Sequence, residues 1–296
     1  MTENGDLAAR FQAARPHLGA LAYRMLGSVD DAEDAVQEAW LRLSGEGVDR
    51  AGEIANLDAW LTTVVARICL NTLRSRRARP REELVGRVPD PIVDAVGELD
   101  PEHQAMLADA VGLALFVVLD TLPPAERLAF VLHDVFAVPF EQIAPIVERS
   151  PGATRKLASR ARRRIHDAAP DPDTDLMAQH AVVDAFFAAG RAGDFDRLVA
   201  VLDPEVCLRG DFGRGPAGLR SVRGPSAVAG LARNYAAPER EARPAIVNGA
   251  AGAVIFVADR PTAIMGFVVR GGRIAAIDVL ADPDRIARID LSALTG

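Results

Sequence analysis

Seven basic residues and no acid lie between Arg149 and Arg164. Guanidinium and ammonium groups at this density neutralise phosphates, and arginine forks also read base edges. They sit in the stretch PFEQIAPIVERSPGATRKLASRARRRI, from Pro139 to Ile165. A short apolar helix, the turn Val147-Glu148-Arg149 and a basic second helix make the pattern of a DNA-reading helix-turn-helix. Ser150 is placed to cap the second helix, and Pro151 costs nothing at its first position. Leu157, Ala161 and Ile165 fall four apart and predict an apolar stripe that packs on Phe140, Ile143 and Val147. Gly152, Ala153, Arg155 and Lys156 then lie nearest the bases. Arg160, Arg162, Arg163 and Arg164 lie along the phosphate backbone. An ordinary solvated basic helix end is the other reading of the same residues. Two residues are awkward. Pro145 inside the first helix removes a hydrogen bond at ~3 kcal/mol unless the helix kinks or starts late. Glu148 in the turn costs about 1 kcal/mol if its backbone is left-handed.

The elements that must position this unit belong to a chain of 296 residues, long enough for two or three domains. Its net charge of −7 argues against a protein that coats nucleic acid indiscriminately. A mildly acidic body with one basic helix fits a site-directed binder better. Cys69 and Cys207 are far apart and form neither a disulfide framework nor a metal site. No metal or cofactor is expected. The acidic start MTENGDLAARF lacks the apolar core of a signal peptide, and no apolar run suits a membrane span. A cytoplasmic protein with no membrane partner is the expectation.

Leu7 to Leu26 is predicted as a helix that buries Leu7, Phe11, Leu18, Leu21, Ala22 and Met25. A second helix, DDAEDAVQEAWLRL, buries Ala32, Ala35, Val36, Ala39, Trp40 and Leu43. Its acids Asp31, Glu33, Asp34 and Glu38 suit a helix start and equally suit a partner surface. Gly45 to Ala55 is a polar loop. Asn56 or Asp58 then caps a third helix, LDAWLTTVVARICLNTLRSRRARP, with Leu57, Trp60, Leu61, Val64, Ile68 and Leu73 on its apolar side. Cys69 is a core thiol among apolar neighbours. The basic end, Arg74 to Arg81, complements the helix dipole or makes a second nucleic-acid contact. Pro80 to Pro101 reads as a linker. Helices resume near Glu102, and LPPAERLAFVLHDVF starts one at Pro124 that buries Leu128, Val131, Leu132 and Val135. His133 is a packing or surface histidine.

YRMLGSVDDAEDAVQEAWLRL, AWLTTVVARICLNTLRSRRARP and the LPPAER…ATRKLASRARRRI block, in this order and over about residues 7–167, resemble an extracytoplasmic-function sigma factor. The resemblance implies core RNA polymerase and promoter DNA as partners. Region 2 would dock on the β′ clamp helices through Asp31, Asp34, Gln37, Glu38 and Trp40, and region 4 would meet the β flap. The −10 element would be read by Asn56, Trp60, Arg67, Asn71, Arg74 and Arg77. The −35 element would be read by Ser150, Gly152, Ala153, Arg155, Lys156, Arg160 and Arg163. Unpaired bases need aromatic stacking and positive charge, although Trp60 also lies at the apolar spacing. The polymerase would supply the chemistry, so the chain need not be an enzyme.

Beyond Pro170, MAQHAVVDAFFAAGRAGDFDRLVAVLDPEV reads as two helices broken at Arg191 to Asp194. Strand-like pieces follow, with a hairpin turn at Gly271-Gly272. The expected fold is two all-α domains, the second a helix-turn-helix, followed by an α+β cone with a curved antiparallel sheet. The expected boundaries are 1–80, a linker 81–101, 102–169 and 174–296. The last part resembles a SnoaL-like domain of the nuclear-transport-factor-2-like superfamily, as in the SigJ-like subgroup. That subgroup carries motifs matched here by Arg87-Val88-Pro89-Asp90-Pro91, Gly210-Asp211-Phe212-Gly213-Arg214-Gly215 and Asp282-Pro283-Asp284-Arg285-Ile286. The resemblance implies that Pro89, Asp90, Pro91, Asp211, Gly213, Gly215, Asp282, Pro283 and Asp284 regulate the sigma core in cis, with no separate anti-sigma factor. A small-molecule ligand of the cone is also an expectation to test. The alternative is a ligand-sensing or enzymatic cone fused to a DNA-binding regulator. His180, Asp184, Asp211, Tyr235 and Asp278 are its polar candidates. A simple repressor or activator would require a dimer and palindromic sites.

Overall fold

The computed structural model describes residues 3–45, 56–78, 88–97, 112–168, 173–213, 218–235 and 239–295. The polar loop 46–55, the resumption near Glu102, and Arg87, Arg214 and Gly215 lie outside the described residues. The chain folds into two compact units: residues 1–83, 101–109 and 119–166, and residues 84–100, 110–118 and 167–296. The linker thus belongs with the C-terminal domain, whereas both helical domains share one unit.

In the first unit, α1 (Glu3–Leu26), α2 (Val29–Gly45) and α3 (Leu57–Ala78) pack on one another. Leu18, Leu21, Met25, Ala39, Leu43, Leu61, Val65 and Cys69 are buried. The predicted stripe of α3 needs correction. Trp60 and Val64 are only half-buried, and Val65 and Cys69 take the core positions. Burial pushes the Cys69 thiol up to about 12, as befits a core thiol.

A short helix α4 (Gly112–Thr121) leads to α5 (Pro124–Phe130), with Pro123 as N-cap and Pro124 in the first turn. It continues as a π turn over Val131–Val135, so Val135 is half-buried instead of joining Leu128, Val131 and Leu132 in the core. The His133 ring stacks on Phe140 at 3.7 Å, as a packing histidine. The helix-turn-helix is α6 (Phe140–Val147) and α7 (Pro151–Ala168). Helix α6 starts at Phe140 and carries Pro145 inside it, on an exposed position. Glu148 is left-handed, with φ 57° and ψ 47°, as the turn requires.

The second unit contains α8 (Leu176–Ala192), α9 (Phe195–Ala200), β2 (Leu202–Asp211), β3 (Leu219–Arg223), α10 (Pro225–Tyr235), β4 (Arg240–Val247), β5 (Ala250–Val257), β6 (Arg260–Arg270), β7 (Arg273–Leu280) and α11 (Pro283–Ile286). β1 (Val93–Ala95) comes from the linker and pairs with β4, Val93 opposite Val247. The open sheet has the order β1-β4-β5-β6-β7-β2-β3. It is mixed: β2 and β7 run parallel, against the antiparallel expectation. Their pairing follows from the chain path, because β2 enters from the helices and not from a hairpin with β7. Gly271 and Gly272 take φ 56° and 71° in the β6–β7 turn, which favours residues without a Cβ. Asp173 clasps this turn, its carboxylate accepting from both glycine N–H groups at 2.9 Å. These bonds hold its pKa below the ordinary value.

Two large apolar groups and a small one of Val268, Ala275 and Ala276 lie on this sheet among the described residues. Val183, Phe186, Leu198, Val228, Phe267 and Ile277 join the helices to it. Val88, Val93, Val247, Phe256, Leu280, Ile286 and Leu291 join it to the linker and the C-terminal tail.

Candidate nucleic-acid interface

Helix α7 begins as its sequence dictates. Ser150 Oγ accepts from the Ala153 N–H at 3.3 Å, which supplies a partner for a first-turn donor. Its buried stripe differs from the expected one. Thr154, Ala158 and Ala161 are buried, whereas Leu157 and Ile165 are half-exposed. Thr154 can enter the core because its hydroxyl donates to Ser150 O at 3.0 Å. Gly152, Arg155, Lys156, Arg160 and Arg163 are exposed, and Ala153 is half-exposed. Arg155 lies over the Phe140 ring, its Cζ 5.2 Å from the centroid. Arg162 pairs with Asp134 at 3.1 Å, and Arg164 with the buried Glu126 at 2.9 Å. These two arginines brace α7 against its own domain. Lys156, Arg160 and Arg163 make no ion pair among the described residues.

On α2, Asp34, Gln37 and Glu38 are exposed at spacings that share one face. Leu41 continues that face and is 61% exposed. The sequence reading missed it, although an apolar residue at i+7 from Asp34 was the available signal. Asp31 is tied to Arg76 at 2.6 Å, and Glu38 pairs with Arg42. Trp40 points elsewhere, half-buried with its ring 4.9 Å from that of Phe11.

On α3, Asn56 is the N-cap, its Oδ1 accepting from the Ala59 N–H at 3.1 Å. Trp60, Arg67, Asn71 and Arg74 follow at spacings of seven, four and three, so they share a face; the last three are exposed. Trp60 and Arg67 line a shallow cavity of about 400 Å³ with Arg42, Gly45 and Val64. A half-exposed indole beside two guanidinium groups offers a stacking plane and positive charge. Arg77 departs from this face: its guanidinium donates to Leu122 O at 2.9 Å and Thr121 O at 3.4 Å.

The three motifs around Asp90, Asp211 and Asp282 meet in the second unit on a residue outside the expected set, Arg285 of α11. Its Nε donates to Asp90 Oδ1 at 2.6 Å, one Nη to Asp211 Oδ2 at 2.5 Å and the other to Val88 O at 2.5 Å. Arg285 is 6% and Asp211 4% exposed, so the ion pair is removed from water. Asp282 caps α11, accepting from the N–H groups of Asp284 and Arg285. Gly213 has φ 86°, and a Cβ there would lie 3.2 Å from the Asp282 carboxyl carbon. That close approach accounts for the glycine. Pro89 and Pro91 are buried, whereas Pro283 and Asp284 are exposed. Asn248, also unforeseen, exchanges two hydrogen bonds with Ile92: its Oδ1 accepts from Ile92 N at 2.7 Å, and its N–H donates to Ile92 O at 2.9 Å.

Two of the polar candidates for chemistry, Asp211 and Asp278, are engaged by arginines. Asp278 is buried and accepts two bonds from Arg209, at 2.6 and 2.9 Å. Burial pushes its carboxyl up, and Arg209 opposes this. Asp211 is engaged by Arg285. His180 and Asp184 stand one turn apart on α8, and burial lowers the His180 pKa. Tyr235 ends α10. No described helix is long and apolar enough to cross a membrane.

Comparisons with known proteins agree with this arrangement. The family model for sigma-70 region 2 matches residues 10–79, and that for sigma-70 region 4 matches residues 113–165. The chain is 41% identical to the ECF RNA polymerase sigma factor SigJ of Mycobacterium tuberculosis, covering 94% of this chain and 92% of that protein. It is 35% identical to the probable ECF RNA polymerase sigma factor SigI of the same organism, covering 97% of each. The crystal structure of Mycobacterium tuberculosis SigJ superposes with a TM-score of 0.76 at 37% identity, over 96% of this chain and 99% of that one. The chain therefore belongs to the extracytoplasmic-function sigma factors of RNA polymerase, with an α+β domain after its sigma regions.

Proposed function

We propose that this sigma factor binds core RNA polymerase through the Asp34–Gln37–Glu38–Leu41 face and reads promoter DNA with two helices. The α3 face from Trp60 to Arg74 captures the −10 element. Gly152, Ala153, Arg155 and Lys156 meet the −35 bases, and Arg160 and Arg163 hold its phosphates. The polymerase carries out the bond-making step. The C-terminal domain regulates this core through the linker that joins the two sigma regions. One observation carries the regulatory reading: Arg285 binds Asp90 and the Val88 carbonyl of the linker as well as Asp211 of the C-terminal domain. In this reading the clasp keeps the linker on the sheet as β1, and that restraint lowers activity.

The test is promoter-specific transcription with purified core polymerase, comparing the full chain with Asp90→Asn and Arg285→Met. Release of the linker should raise transcript yield severalfold. Unchanged or lower yield from variants that still bind core polymerase would count against restraint by the clasp.

A further inference from the structure

The seven basic residues from Arg149 to Arg164 are held in different ways. Arg162 and Arg164 give N–H groups to the carboxylates of Asp134 and Glu126. Arg149 donates to the Glu148 carbonyl at 2.9 Å. Lys156, Arg160 and Arg163 make no ion pair among the described residues, so their long side chains can swing toward phosphates. Arg155 differs from the rest. It lies over the Phe140 ring, its Cζ 5.2 Å from the centroid, and among the described residues no hydrogen bond or ion pair takes its donors. An aromatic ring attracts a guanidinium through its π face and uses up none of the N–H groups. Arg155 is therefore oriented and still unspent. A carboxylate would have consumed its fork, and open water would have left it to rotate.

The ring is itself fixed. Phe140 opens α6 and is buried. The His133 ring stacks on it at 3.7 Å with 29° between the planes, and His133 Nδ1 donates to the Val138 carbonyl at 3.0 Å. His133 and Asp134 belong to the π turn Val131–Val135. A π turn takes one residue more than an α turn, which rotates the side chains that follow by about 100°. Consecutive residues of this turn thus serve both helices of the reader: His133 holds the Phe140 ring of α6, and Asp134 holds Arg162 of α7 at 3.1 Å.

We infer that Phe140 is a positioning residue for promoter reading: it holds the Arg155 fork in the orientation that meets O6 and N7 of one guanine in the −35 element, with His133 backing the ring. This rests on α7 being the −35 reader. Arg155 stands in the second turn of α7, within the N-terminal part that reaches base edges. The bidentate contact of arginine with guanine is planar and tolerates little rotation of the fork. Phosphate attraction does not depend on that rotation, so loss of the ring costs discrimination between bases and spares overall binding.

The test uses holoenzyme reconstituted from the full chain and purified core polymerase. Bound duplexes are selected from a library randomised over both promoter elements and sequenced. Arg155→Ala locates the base pair whose preference it flattens. Phe140→Leu keeps an apolar filling without a π face. It should lower the guanine preference at that base pair about tenfold and leave the preferences elsewhere and the salt slope of binding unchanged. Phe140→Tyr should keep the wild-type preference. His133→Leu should lower it more weakly, by about threefold, because the ring remains and only its backing is lost. Cooperative melting identifies folded variants; if Phe140→Leu does not fold, His133→Leu decides. A wild-type guanine preference in folded Phe140→Leu, or an equal fall at every position, overturns the positioning role while leaving Arg155 a reader. If Arg155→Ala flattens no position, the reading of α7 itself fails, and the role of the ring fails with it.

Discussion

Replacing Arg285 with methionine should destabilise the C-terminal unit sharply, and the size of the effect follows from what is left behind. The methionine fills most of the volume but donates nothing. Asp211, 4% exposed, then keeps a charge in a site without its cation, and the Val88 carbonyl loses its donor. Removing one partner of a buried ion pair costs about 3–5 kcal/mol. Asp90 is 27% exposed, recovers water and adds little. A cost of about 3 kcal/mol lowers the melting temperature of a domain this size by roughly 10 °C. The sharper measurement is the double variant Arg285→Met with Asp211→Asn. It removes the stranded charge, so it should melt above Arg285→Met alone. Differential scanning calorimetry reads both transitions. A single-variant loss under about 1 kcal/mol, or a double variant no more stable than the single, would mean that the pair is a solvated contact and would refute the argument.

Three further outcomes are expected. Glu148→Gly relieves a left-handed backbone costing about 1–2 kcal/mol, and the added freedom of the unfolded glycine returns part of it, for a net gain of about 0.5–1 kcal/mol in chemical denaturation. It also removes an acid near the DNA and should tighten −35 binding in a fluorescence titration. Asp173→Ala should lower stability at neutral pH by unclasping the Gly271-Gly272 turn. Because the folded Asp173 pKa is depressed, its contribution is present above the unfolded value near 3.8 and is lost as pH falls through the lower folded value. The stability gap between wild type and variant should therefore close in acid denaturation below about pH 4. Alanine at Lys156, Arg160 or Arg163 should each reduce the salt slope of −35 binding by about 0.9, whereas Arg164→Ala should chiefly lower the stability of region 4, since it unpairs the buried Glu126.

Much of this protein is written locally. Ser150 and Pro151 start α7, Pro124 starts α5, Asn56 caps α3 and Gly271-Gly272 turns the hairpin, because each effect acts over a few residues of backbone. Helical periodicity marks the buried sides of α1 and α2, as neighbours three and four apart necessarily share a face. The motifs of a sigma factor are legible for the same reason: they are contiguous. The exposed basic residues of α7 and the α3 face from Trp60 to Arg74 were within reach of spacing alone.

Tertiary structure decides what those residues touch. Arg285 and Asp90 are 195 positions apart, and nothing local tells this arginine from any solvated one. Arg77 and Arg74 are both exposed and look equivalent in the sequence, yet Arg77 is held by carbonyls of region 4 whereas Arg74 stays on the face of Trp60 and Arg67. Arg162 and Arg164 look like phosphate ligands until Asp134 and Glu126 claim them. Thr154 displaces Leu157 from the core only because a carbonyl satisfies its hydroxyl. The linker becomes a strand because β4 offers an open edge and Asn248 meets its backbone. Helix starts and turns depend on the backbone's own unsatisfied groups, which the sequence specifies on its own. Choosing among many chemically identical partners is a matter of burial and distance, and only the folded chain makes that choice.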